Sequence, residues 1–135
     1  MSVVTIPDAR DQLRGVIAER RQIFGHEPTV EQANAFLAGF DVAWGYALLR
    51  DYHEWLVVKI GGGYNVHWFA LARNLAMGIG PYDAPPADHR EDDESEIGTR
   101  VLESVVEFLD EVDRLDGRRD IYARYEAQRA ADGLS

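Results

Sequence analysis

The chain has 135 residues, 46% hydrophobic and 28% charged, with a formal net charge of 14 − 24 = −10. That is the size of one domain able to bury a core, and the composition excludes a disordered chain. The absence of cysteine excludes disulfides, thiolate nucleophiles and Cys-ligated metal sites.

No stretch approaches the ~20 apolar residues that span a bilayer. Met1–Arg10 carries only a short Val3-Val4-Thr5-Ile6 run before Pro7, unlike a signal peptide. A single cytoplasmic domain over 1–135 is expected.

Apolar residues recur at helical spacing. Leu13, Val16, Ile17 and Phe24 make one stripe after Pro7, ended by Gly25 and Pro28. Thr29 and Gln32 have capping-box spacing. They open a helix whose apolar line is Val30, Ala33, Phe36, Leu37, Phe40 and Trp44, with Gly45 as its break. Tyr46–Ile60 reads as helix through Leu48, Leu49, Tyr52, Trp55 and Leu56, although Trp55-Leu56-Val57-Val58 has strand propensity. Gly61-Gly62-Gly63 ends it, and Asn65 is the expected N-cap of a helix over Val66–Met77.

An acidic loop is expected at about 78–95, rich in Gly and Pro at its start. The next helix, from Ser95–Ile97, faces the core with Val101, Leu102, Val105, Phe108, Leu109 and Val112, and Gly117 ends it. A last helix runs from Arg119 to Ala130. The fold class is all-α: a compact array of five or six helices around one core.

Catalytic patterns fail on inspection. His53-Glu54 begins a zincin motif, but the position of the second histidine is Val57. The three glycines are followed by Tyr64-Asn65 rather than the Lys-Ser/Thr of a phosphate loop, and read as a tight interhelical turn. The histidines at 26, 53, 67 and 89 form no paired metal-helix pattern, and the calcium-loop pattern is absent. Lys59, the only lysine, sits at a helix C-terminus where it can snorkel. No catalytic residue, no metal and no cofactor is expected, and the protein is read as not an enzyme.

The unusual feature is charge placement. Residues 1–27 are neutral, 28–82 carry −1, 117–135 carry +1, and 83–116 carry 3 − 13 = −10. Such a field repels phosphate backbones and anionic membranes, so neither nucleic acid nor membrane is an expected partner. Glu103, Glu107 and Glu111 recur at i+4, where like charges cost roughly 0.2–0.5 kcal/mol per pair. Arg114 is the basic residue within reach of Asp110 and Glu111 on that helix.

These carboxylates suggest a non-catalytic protein-binding module, in its sharpest form an immunity-type inhibitor that masks a basic partner by electrostatic steering. Its expected contacts are Asp92, Asp93, Glu94, Glu103, Glu107, Asp110 and Glu111. Carboxylates matched by arginines of the same molecule would count against that face. The alternative is a small-molecule site between helices, lined by Trp44, Tyr52, Trp55, Tyr64, His67 and Trp68. A homodimer is a third expectation.

The runs Phe36–Asp41 and Leu48–Val58 with the glycines after them, and the tail Phe108–Glu111 through Ile121–Tyr125, resemble small uncharacterised proteins of actinobacteria. The resemblance covers roughly 28–125. It implies a cytoplasmic bacterial protein and transfers no catalytic motif.

Overall fold

A computed structural model describes residues 5–87 and 91–134, and for 91–95 the backbone course alone. Among the described residues the chain is all-helical: α1 (Ile6–Ala18), α2 (Arg20–Phe24), α3 (Val30–Ala43), α4 (Tyr52–Ile60), α5 (Trp68–Met77), α6 (Glu91–Val112) and α7 (Gly117–Ala131). The all-α array is as expected, with one or two helices more. None is long and apolar enough to cross a membrane.

Local chemistry sets the boundaries. Thr5 and Asp8 form a capping box at α1, with Pro7 in the first turn. The expected box of Thr29 and Gln32 opens α3. The stripe from Leu13 to Phe24 breaks at Glu19, so it belongs to two helices.

The expected helix over 46–60 is shorter and begins at Tyr52. Its first third is instead a structured turn. The amides of Gly45 and Tyr46 close back on Val42 and Asp41, with both residues left-handed at φ 70° and 63°. The Asp41 carboxylate then takes the amides of Leu48 and Leu49 at 3.1 and 2.8 Å. Those amides cannot continue a helical ladder, which is why apolar spacing there does not yield helix.

At α5 the cap is His67 rather than Asn65: its Nδ1 accepts from the Phe69 amide at 3.1 Å. Gly63 is required before it. Its φ is +84°, and a Cβ there would lie 2.6 Å from Leu71 Cδ2 and 3.0 Å from Pro81.

The acidic loop expected to 95 ends earlier. α6 starts at Glu91, so 91–94 lie in its first turn, a position where the helix dipole favours negative charge. α6 is also the hub: α1, α3, α4, α5 and α7 all pack against it. Val101, Leu102, Val105, Phe108 and Leu109 are fully buried there with Leu13, Leu37, Leu56 and Leu71 from its neighbours. Two glycines permit the closest approaches. A Cβ on Gly98 would meet the backbone of Pro28 and Thr29, and one on Gly117 the terminal carbonyls of α6.

Candidate functional site

The expected acidic ridge divides along α6. From Glu107 onward the carboxylates are matched by basic groups from other helices. Arg10 donates to Asp110 at 3.0 Å and to Asp113 at 3.3 Å, and Arg14 reaches Asp110 at 3.4 Å. Lys59, from α4, pairs with Glu107 at 3.1 Å while lying 5.3 Å from the Trp55 ring centroid.

Glu111 is not at the surface at all. It is 8% exposed, accepts the Trp55 indole N–H, and is paired with Arg124 at 2.9 Å. Burial pushes its carboxyl up, but the Trp55 and Arg124 hydrogen bonds and the nearby Lys59 outweigh that and leave it below the usual range. Glu111 is therefore an internal strut between α6, α4 and α7 and offers nothing to a partner. Arg114 takes no part in any of these pairs among the described residues.

The stretch of α6 before Glu107 differs. Glu103 is exposed and lines a cleft of about 310 Å³ with Arg20, Glu27, Glu96, Thr99 and Arg100. Glu27 anchors its wall. Arg20 Nε and Arg21 Nε donate to it at 2.6 and 2.7 Å, and Thr99 at 3.2 Å. The Arg20 bond, then that of Arg21, holds its carboxyl down to about 2. Arg100 is occupied by Glu96 at 2.7 Å and the Ala76 carbonyl at 3.3 Å. Glu27, which sequence spacing does not flag, enters the site only through the α2–α3 turn. Asp92, Asp93 and Glu94 begin the same helix, and their side chains lie outside the described residues.

The centre of the aromatic set expected to line a ligand pocket is taken up in core packing. Tyr52 and Trp55 are 0% and 2% exposed and stack at 5.9 Å. Phe108 closes on both, and Trp68 edges onto Tyr52 at 5.6 Å. The Tyr52 hydroxyl shares a 2.7 Å bond with Ser104, and burial raises its pKa.

Tyr64 lies elsewhere, donating to Asp132 at 2.6 Å and packing on Tyr125. Trp44 ends a ladder with Phe24, Phe36 and Phe40 on α2 and α3. His67 is exposed and spends its Nδ1 on the α5 cap. Trp55, Tyr52, Trp68 and His67 form one contiguous set of rings, and Trp44 and Tyr64 lie outside it.

His53 bridges instead of ligating. Its Nε2 lies 3.0 Å from the Val66 carbonyl and its Nδ1 3.9 Å from Glu54, which raises its pKa. Among the described residues no three His, Asp or Glu side chains are grouped to hold a metal ion.

No protein-family model, no curated protein and no solved structure matches this chain.

Proposed function

We propose that the protein is a non-catalytic binding module that receives a basic protein partner on the N-terminal half of α6. One observation carries this reading. The intramolecular cations that neutralise Glu107, Asp110 and Glu111 serve the C-terminal half. Residues 91–100 hold five carboxylates against the single Arg100, a net −4, with Glu103 and the cleft beside them. By sequence the excess carboxylates gather at the start of α6, beside a cleft in which Glu96 pairs with Arg100 and Glu103 lies near Arg20. A lysine or arginine entering there meets Glu96 and Glu103, and the field raises the encounter rate.

The test is capture of partners from lysate of the organism that makes the protein, at low salt with high-salt elution. Three baits are compared: the native chain, Glu96→Gln with Glu103→Gln, and Glu31→Gln with Glu126→Gln. The last pair changes net charge equally on the exposed faces of α3 and α7. A basic protein held by the native and control baits and lost by the α6 bait is expected. Equal retention by all three, or no basic protein on any, overturns the reading.

A further inference from the structure

We infer that α7 is a detachable strap: it swings away from α4 and α6 as one unit, about the turn 114–116, while the other helices stay packed. Its attachment is the reason. Of its fifteen residues only Gly117, Ile121 and Tyr125 are buried. Ile121 and Tyr125 are its share of the apolar core, and its other large apolar side chain, Tyr122, is half exposed. The core around Leu13, Leu37, Leu56, Leu71, Val105 and Phe108 comes entirely from α1, α3, α4, α5 and α6.

Polar side chains hold the strap instead. At its start Arg118 donates to Ala47 O at 2.8 Å and to Arg50 O, and pairs with Asp51 at 3.5 Å. Midway, Arg124 pairs with Glu111 at 2.9 Å. Near its end Gln128 donates to Val57 O at 3.2 Å, and just past it Asp132 accepts from Tyr64 at 2.6 Å. Opening exchanges each of these bonds for bonds to water, at small net cost, whereas buried apolar surface has no such substitute. A segment with little buried apolar surface and many solvent-accessible bonds opens before the global transition.

The pivot is free to turn. Residues 114–116 are all exposed, Leu115 by 90%, and no buried side chain anchors them. Opening also has a defined consequence. In the closed form Glu111 is a strut, 8% exposed, and Tyr64 packs on Tyr125. In the open form Glu111 keeps its Trp55 donor but loses Arg124, and Tyr64 loses both Tyr125 and Asp132. A carboxylate and a tyrosine that the closed form hides become surface at the end of α4. The cleft at the start of α6 takes no part, so the strap does not rest on the proposed partner.

Native-state amide hydrogen exchange of the full chain, followed by NMR over a urea series below the unfolding transition, tests this. Amides of residues 121–128 should be protected at least about tenfold less than those of 101–109 and lose protection less steeply with urea, because the opening exposes less surface than global unfolding. Gly98→Ala strains the crossing of α6 over residues 28 and 29, so it should lower protection at 101–109 and leave 121–128 unchanged. Arg124→Ala should lower protection at 121–128 by about tenfold, with unchanged far-UV circular dichroism. Should Gly98→Ala fail to fold, the slopes on the native chain decide. Four results overturn the inference: the same protection and urea slope in both helices, protection that grades inward from Ala131 as in end fraying, equal losses in both helices on Gly98→Ala, or no response of α7 to Arg124→Ala.

Discussion

Replacing glycine by alanine should have opposite signs at two helical positions. Gly39 lies within α3, and a Cβ added there would meet nothing within 4 Å, so Gly39→Ala should follow helix propensity and stabilise by about 0.5–1 kcal/mol. Gly98 lies within α6, where propensity alone makes the same promise. There a Cβ would sit 2.8 Å from both Thr29 C and Thr29 O and nearer still to Pro28 O. Carbon contacts are comfortable near 3.5–4.0 Å, so the start of α3 must retreat by roughly 1 Å. Overpacking costs about 1–3 kcal/mol, and the upper figure applies because the obstacle is backbone rather than a side chain that can rotate. Subtracting about 1 kcal/mol of propensity leaves Gly98→Ala destabilised by about 2 kcal/mol. With a urea slope of about 2 kcal/mol per M, the midpoint should fall by about 1 M while that of Gly39→Ala rises. A rise in midpoint for both variants would refute the close crossing of α6 over residues 28–29, and with it the wall that Glu27 supplies to the cleft.

Four further outcomes follow from named contacts. The Glu111 carboxyl is lowered in the fold, so its contribution is complete above the unfolded value near 4.5 and is lost as pH falls through the lower folded value; the stability gap between native chain and Glu111→Gln, from urea titrations, should close on acidification. Trp55→Phe removes the indole donor to Glu111 Oε2 while Arg124 still holds Oε1, and loss of that bond to a charged acceptor should cost about 1.5–3 kcal/mol of unfolding free energy in the same assay. His53 is raised by Glu54, so its contribution is complete below pH 6.5 and fades as pH rises through its folded value; in NMR titration Glu54→Gln should lower the His53 midpoint, and an unchanged midpoint would remove the pairing. Tyr46→Gly should relieve the left-handed backbone and raise stability by about 0.5–1 kcal/mol, read as a higher urea midpoint.

Much of the fold is legible in the order of residues. The capping box at Thr29, the stops at Gly25, Gly61 and Gly78, and the helical reading of Trp55–Ile60 all follow from local rules, and the structure has them. What local rules miss is side-chain competition for backbone groups. Asp41 withdraws Leu48 and Leu49 from the helix their spacing predicts. His67 caps α5 two residues beyond Asn65 because its ring nitrogen reaches the Phe69 amide. Neither partner is visible in a hydrophobic pattern, which counts apolar positions and is silent on which polar atom stands within hydrogen-bond reach of them.

The candidate site shows the same limit one level up. Counting charge along the chain locates the excess correctly but treats thirteen carboxylates over 83–116 as one feature. Once α6 becomes the central helix, its carboxylates must lie against neighbours, and a central helix meets cations that are distant in sequence. Arg10 lies 100 residues from Asp110, and Lys59 107 − 59 = 48 residues from Glu107. A ridge on an edge helix would have kept its field; on a hub it is consumed wherever a basic neighbour passes. Glu111 thus serves packing, at a desolvation cost that Trp55 and Arg124 offset, while Glu107 and Asp110 are held in more exposed ion pairs.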